Sequence, residues 1–482
     1  MRFHTFVAFV FCSCLATTAS WGRSWTQAAS GKTIEAELIR VVDQKVELKL
    51  TSGKSYQVPI ATLSTEDQIF IQAHLKAGTG GAGGAEWPRW RGVNQDGISP
   101  DKGVLKEWPA GGPKKLWSYD EAGAGYSCFS IVGGRLFTMG TRGDKLMAIA
   151  LNAETGAELW ACELGVDDQA GYNAGWGNGP RGTPTFDDGK LYILGPKGDL
   201  YCVDSAKGKV VWSKDILKEF SGKGGDWGYS ESPLVDGNRV VVSPGGDSAS
   251  IVALDKENGK VLWKSAIQGA GKAEYGTVVS AELDGRPQYV KLFQQLLVGV
   301  DPKDGKVLWQ SPWGGRTAVI PTPIVEGNHV YITAGYGAGS KLVEVDKDKA
   351  TDVWSSKAMT NHHGGVIKIG DFLYGFSEAK GLACQSWKTG DLVWNEKGQA
   401  GELVKGAVHA VDGLLVCLNE GDGTVSLVEV NSEKFVKKGQ FQLDPQSKNR
   451  SPKGKIWTHP LVLNGKLYLR DQEYIHCYDV KG

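Results

Sequence analysis

Apolar and polar residues alternate in short runs bounded by turn residues, the pattern of half-buried β-strands. Between 23 and 76, Ile34, Ala36 and Leu38 alternate with polar neighbours, Val46, Leu48 and Leu50 do the same, and Tyr56, Val58 and Ile60 make a third run. Asp43-Gln44 and Ser52-Gly53 supply the turns. Ser64 then stands as an N-cap, with Asp67 at the position that reaches back in a capping box and Glu66 near the positive end of a short helix through about Leu75. Later runs such as SIVAL are apolar without interruption, which predicts strands covered on both faces.

Those later strands recur in a fixed setting. LYCVDSAKGKVVW, IVALDKENGKVLW and LVGVDPKDGKVLW each place Asp four residues before Gly and eight before Trp. The sets are Asp204, Gly208 and Trp212, then Asp255, Gly259 and Trp263, then Asp301, Gly305 and Trp309. Weaker copies keep Asn152, Gly156 and Trp160; Asp346 and Trp354; Ser386, Gly390 and Trp394. A seventh, SLVEVNSEKFVKK, keeps only Asn431, and an eighth begins as YIHCYDVKG with Asp479. Its complement stands upstream in GGPKKLWSYD, where Trp117 has the right flanks and no preceding phrase. A ring closed by that strand is expected, because it leaves no open sheet edge.

Successive Trp residues lie 43, 52, 51, 46, 45 and 40 positions apart, near the roughly 40 to 50 residues of a four-stranded propeller blade. Two more strands precede each phrase, as in SPLVDG and NRVVV. The chain is therefore read as all-β, with an eight-bladed β-propeller over 87–482. In each turn the Asp accepts from backbone N–H groups and the Gly supplies a positive φ, while the Trp fills space between neighbouring sheets.

Composition narrows the function. Lys plus Arg and Asp plus Glu are each 54, so the net charge is zero, without the basic excess that nucleic acid demands of a partner. Residues 1–20 place Arg2 before an apolar run and small residues, as in a secretory signal peptide, with cleavage after Ala19, Ser20 or Gly22. That run is too short to span a bilayer, Cys14 follows a poor lipoprotein signal, and no later segment has eighteen uninterrupted apolar residues. An exported protein, periplasmic or extracellular and without a transmembrane segment, is expected. Residues 77–86, mostly Gly and Ala, read as a flexible linker.

Six cysteines follow the signal: Cys128, Cys162, Cys202, Cys384, Cys417 and Cys477. None makes a CxxC or CxxCH pair, which disfavours zinc, thioredoxin-like and c-type haem sites. Cys202, Cys384 and Cys477 each stand two residues before the Asp-equivalent position, where other copies have Ala150, Ala253 and Gly299. They occupy a small-residue packing slot, and buried thiols are expected.

The run RSWTQAASGKTIEAELIR and, further on, SGKSYQVPIATLSTEDQ resemble the Sla-homology domain, which implies an SH3-like β-barrel module over 23–76. In eukaryotic endocytic adaptors that module binds proteins; a cap or spacer is the alternative here. From 87 to 482 the Asp-Gly-Trp phrase resembles the tryptophan-docking repeat of PQQ-dependent quinoprotein dehydrogenases and of BamB-like propellers in outer-membrane assembly. WPRWRGVNQDGIS, GYSESPLVDG, NHHGG and HPLVLNGKLYLRDQ look like motifs of bacterial secreted PQQ-like repeat proteins. Quinoprotein dehydrogenases commonly hold PQQ over a Trp, bind calcium through carboxylate and amide oxygens, use an Asp base and often carry a disulfide between adjacent cysteines. This chain has no adjacent Cys pair. PQQ and calcium are the cofactors the resemblance allows, and no motif assigns either.

Entry loops to the innermost strands line a propeller's axial funnel, so a site is expected in the segments ahead of each blade. They hold Asn178 and Arg181, then Trp227 and Tyr275, then Arg316. Further round come His362, His363, Lys405, His409, Trp457 and His459. Asp226, Glu231 and Glu274 are the candidate bases or calcium ligands, Arg181 and Arg316 the anion clamps, and Trp227 and Trp457 the ring platforms. Adjacent strand residues point to opposite faces, so His362 and His363 share one metal only if the backbone turns, as Gly364-Gly365 permits, and a structural role for one His is the default. The leading reading is a non-catalytic scaffold or adaptor for envelope or secreted proteins. A PQQ-dependent dehydrogenase of alcohols or sugars, and a glycan-binding propeller, are the alternatives.

Overall fold

The computed structural model of the chain describes residues 23–42, 45–50, 54–65, 67, 68, 71, 84–397 and 403–482. They fall into two compact units, 1–83 and 84–482. The signal peptide expected over 1–20, most of the linker expected over 77–86, and the turns at Asp43-Gln44 and Ser52-Gly53 lie outside the described residues. Among the described residues no helix is long and apolar enough to cross a membrane.

In the first unit Arg23–Thr26, Thr33–Val42, Lys45–Leu50 and Ser55–Pro59 form one antiparallel sheet in chain order. Trp25, Ala36, Val46, Leu48 and Ile71 are buried together. Trp25, which the alternation did not single out, donates its indole N–H to the Ala36 carbonyl at 2.8 Å. The third apolar run departs from expectation: its strand ends at Pro59, Ile60 opens the 3-10 turn Ile60–Thr62, and Tyr56 is exposed. Pro59 has no N–H with which to continue a ladder. At Ser64 the hydroxyl accepts from the Asp67 N–H at 3.1 Å, and the Asp67 carboxylate accepts from the Thr26 N–H at 2.7 Å, tying the helical turn to the first strand.

The second unit contains, among the described residues, eight antiparallel sheets over 130–166, 185–215, 234–265, 279–312, 324–356, 366–395, 406–442 and 461–479. The last has three strands of its own. Lys114–Tyr119 supplies the fourth, with Trp117 opposite Cys477.

The repeated phrase is one half of a joint. Asp204 Oδ1 accepts from the N–H groups of Ala206 and Lys207, both at 2.9 Å, and Asn152 Oδ1 accepts from Glu154 at 2.9 Å and Thr155 at 3.0 Å. Gly208 and Gly259 close their turns at φ +62° and +70°. Each Gly has a second task, because the Trp ring of the preceding sheet lies against it. A Cβ on Gly208 would come within 2.6 Å of Trp160, and one on Gly156 within 2.6 Å of Trp117. The indole N–H then donates to the carbonyl just after the Asp: Trp160 to Ser205 at 3.1 Å, Trp212 to Lys256 at 3.0 Å, Trp263 to Pro302 at 2.9 Å. Since Trp117 belongs to the last sheet and Gly156 to the first, the same joint links the two.

Two copies solve the joint differently. The fifth lacks the Gly: Asp346 and Lys349 pair directly across a two-residue turn, and Trp309 of the fourth sheet donates instead to Gln288 Oε1 at 2.6 Å. In the seventh, Gly439 stands opposite Leu427 where a Trp would be. Trp108 fills the place from the segment ahead of the closing strand, donating its backbone N–H to Lys438 at 3.0 Å and meeting Phe441 edge-on at 5.3 Å. The small-residue slot is the position directly across from a Trp in the same sheet: Cys202 faces Trp212, Cys384 faces Trp394, and Ala150 faces Trp160. The six cysteines are free, and all but Cys162 are buried.

Residues 87–99 form a strap. Trp87 pairs with Ile131 of the first sheet, Pro88 accepts from Phe186 of the second at 2.7 Å, and Arg89 donates to Val235 of the third at 3.4 Å. Trp90 donates to the Thr322 hydroxyl ahead of the fifth at 3.0 Å, and Arg91 to the Val366 carbonyl of the sixth at 2.8 Å. Ile98–Ser99 then adds a parallel strand to Gly406–Val411 of the seventh. A thirteen-residue segment reaches only about 45 Å fully extended, so contact with this many sheets requires that their first strands converge.

Candidate functional site

At that convergence lies a cavity of about 410 Å³, with Trp90 and Arg91 of the strap in its wall. Every junction ahead of a sheet contributes to it. Arg181, Trp227 and Tyr275 come from the second, third and fourth junctions. His362 and His363, then Lys405, then Trp457 and His459 come from the sixth, seventh and eighth.

The structure thus brings eight of the sequence-derived candidates together and leaves six apart. Asn178 does not line the cavity, and Arg316 is exposed while its neighbours Thr317 and Ala318 form the wall. His409 is buried against Trp87, ring centres 5.3 Å apart, and burial pushes its pKa down to about 3. None of the three candidate carboxylates reaches the wall. Asp226 pairs with Lys272. Glu231 is buried, accepts from the Ser243 N–H and pairs with the fully buried Lys291 at 2.9 Å. Glu274 accepts from the Val319 N–H at 2.9 Å, and burial raises its carboxyl to about 7. A carboxylate in a junction faces whichever cation or backbone donor the adjoining sheet offers, which residue type alone does not reveal.

Sequence reasoning missed Glu420, Tyr336, Tyr126, Trp176 and Lys455, as well as the strap residues. Glu420 and Tyr336 follow the second strand of their sheets, Leu414–Asn419 and His329–Ala334, whereas the sequence places the site in the segments ahead of first strands. The aromatic and basic spacing of WPRWRG was the signal for the strap.

Glu420 anchors a polar network on one side. It accepts from Trp457 Nε1 at 3.1 Å, lies 3.4 Å from Lys405 Nζ and 3.6 Å from His363 Nδ1. Burial opposes its charge, yet His363 and Lys405 outweigh that and hold the carboxyl below its usual range. Lys405 Nζ also meets His362 Nδ1 at 3.2 Å, while the other nitrogen of His362 contacts Glu378. Burial, then Lys405 and His363, keep His362 down to about 4; burial likewise takes His459 to about 4. On the other side Arg181 donates to the carbonyls of Gly177 at 2.7 Å and Gly179 at 3.1 Å, between the rings of Tyr126 and Tyr172.

Residues 144–396, just over half the chain, match the family described as outer membrane protein assembly factor BamB. The chain belongs to the BamB family. Residues 17–78 match SLA1 homology domain 1. To BamB of Shewanella oneidensis the chain is 25% identical over 269 residues, 50% of this chain and 64% of that protein. To the quinohemoprotein alcohol dehydrogenase of Comamonas testosteroni it is 25% identical over 191 residues, 38% of this chain and 26% of that one. The chain therefore spans less than two thirds of the curated relatives it matches. The crystal structure of BamB from Moraxella catarrhalis superposes with a TM-score of 0.54 at 16% identity, covering 76% of this chain and 97% of that one. The second unit is an all-β BamB-like propeller.

Calcium takes six to eight oxygen ligands. Among the described residues no group of three His, Cys, Asp or Glu side chains stands ready for a metal, and Glu420 is the single carboxylate of the wall, with no Asn or Gln beside it. The residues of the wall do not fit the oxygen set of a calcium ion.

Proposed function

We propose that the protein is an exported adaptor that acts by binding envelope or secreted proteins, built as an eight-bladed propeller over 87–482 behind a signal peptide at 1–20, an SH3-like module at 23–76 and a linker at 77–86. The eight sheets and the joint from the last to the first support the blade count, and family membership supports a protein partner. The observation that carries the binding reading is the condition of the ionisable groups. Asp226, Glu231 and Glu274 are committed to Lys272, Lys291 and the Val319 N–H, outside the cavity wall.

Trp176 of the cavity wall is 42% exposed, and Val404, which precedes the wall residue Lys405 in the chain, is 66% exposed. A photocrosslinking residue at either position is expected to capture one defined envelope protein in cells, and the same residue at Val211, on an outer strand, is expected to capture none. Equal capture at all three positions would sink the adaptor reading. The quinohemoprotein relative and the aromatic wall favour a second reading, oxidation of alcohols or sugars. With PQQ, calcium and an artificial acceptor supplied, no turnover is expected; calcium-dependent turnover lost in Glu420→Gln would establish the enzyme instead.

A further inference from the structure

We infer that the cavity is a receptor site for an acidic sugar, one or two pyranose units bearing a carboxylate or a sulfate. The inference rests on the reading above only in taking the cavity to bind rather than react; it needs no protein partner. The volume of about 410 Å³ lies in the range of small-molecule sites. Flat aromatic faces come from separate junctions, Trp227 and Tyr275 on one side and Trp457 on another. Such faces carry negative π density that attracts the polarised C–H face of a sugar ring.

The charges select an anion. Neither Arg181 nor Lys455 forms an ion pair among the described residues, and both line the cavity, whereas Glu420 already has Lys405. A cation in a partly dry wall without a carboxylate partner attracts an anionic ligand more strongly than it would in water.

Three hydroxyls add directed donors. Ser232 Oγ accepts from the Thr183 N–H at 2.8 Å, Thr277 Oγ1 from the Ser232 N–H at 3.1 Å, and Thr322 Oγ1 from Trp90 Nε1 at 3.0 Å. All three are buried wall residues, and among the described residues none donates to a protein acceptor. Each oxygen has one lone pair occupied and its proton uncommitted, so each hydroxyl can donate to a ligand oxygen. Glu420 does the converse, since an ionised carboxylate only accepts. A flat aromatic acid would satisfy the rings and the cations but bring no hydroxyl donor to Glu420; a neutral sugar would leave Arg181 and Lys455 uncompensated.

The full chain is titrated by calorimetry and tryptophan fluorescence with digalacturonate, galactose 6-sulfate, cellobiose and benzene-1,3,5-tricarboxylate. Saturable one-to-one binding of digalacturonate or galactose 6-sulfate is expected, about tenfold or more tighter than cellobiose or the tricarboxylate. Which of the two binds distinguishes uronate from sulfate. Lys455→Gln, at a partly exposed position, is expected to weaken the acidic sugar about tenfold with an unchanged melting curve, and added salt to weaken it further. Cellobiose binding as tightly would overturn the anion requirement, the tricarboxylate binding as tightly would overturn the sugar, and an unchanged affinity in Lys455→Gln would place the ligand elsewhere. No saturation by any probe at about 10 mM would overturn the inference as a whole. Failure of the crosslinks would remove the adaptor reading and leave these titrations standing.

Discussion

Gly208 carries two requirements at one position, a backbone at φ +62° and a bare face for the Trp160 ring. Gly189, in the hairpin ahead of it, carries only the first: its φ is +73°, and a Cβ there would meet nothing within 4 Å. Alanine at either site costs about 1–2 kcal/mol for the left-handed backbone. At Gly208 the methyl must also displace an indole that donates to Ser205, an overpacking cost of about 1–3 kcal/mol. Gly208→Ala is therefore expected to lower the urea midpoint clearly more than Gly189→Ala. Equal losses would mean that the Trp–Gly contact is incidental.

At the scale of elements, the strand Lys114–Tyr119 and the strap do the work of joining chain ends to sheets. The strand gives the last sheet its outer edge and brings Trp117 onto Gly156 of the first. Just before it, Trp108 fills the place of the missing seventh Trp. Deleting 111–121 leaves the Tyr474–Asp479 strand unpaired on one side and empties the Trp117 joint, so the whole propeller is expected to melt at a lower temperature. Deleting 23–76 removes a unit with its own core and is expected to leave the propeller transition in place. If the shorter deletion melts with the intact protein under the same conditions, the ring reading is wrong.

Across the whole molecule, buried imidazoles set the response to acid. Burial holds His362, His459 and His476 down to about 4 and His409 to about 3. Below pH 6.5 these four are protonated in the unfolded chain and neutral in the folded one, so stability falls as pH drops from 6.5 toward 4. Each contributes up to about 1.4 kcal/mol per pH unit. Glu274, raised to about 7, acts the other way: between 4.5 and 7 the folded chain holds its proton more tightly than the unfolded chain, so its contribution improves as pH falls. Among the groups shifted this far, four imidazoles against one carboxyl predict a net loss of stability as pH falls from 6.5 toward 4. Denaturant midpoints at pH 7.5 and 5 test this, and equal values would show that the imidazoles take up protons without unfolding.

The Asp-Gly-Trp phrase, the alternation at Val46 and Leu48, and the Ser64 cap were readable because each is set by the geometry of a few consecutive residues, which repeats wherever the local structure does. The closing role of Trp117 was readable for the same reason, as a half-phrase without its other half. Only the tertiary structure decided which sheet each Trp meets, that Trp108 substitutes in the seventh copy, and that WPRWRG crosses the converging strands. It also decided the site, bringing Arg181, Trp227 and Trp457 together, adding Glu420 from the turn after a second strand, and turning Asp226, Glu231 and Glu274 away. A charged side chain answers to the nearest opposite charge or free backbone donor, and here those partners come from other sheets, tens of residues away, where no local periodicity points.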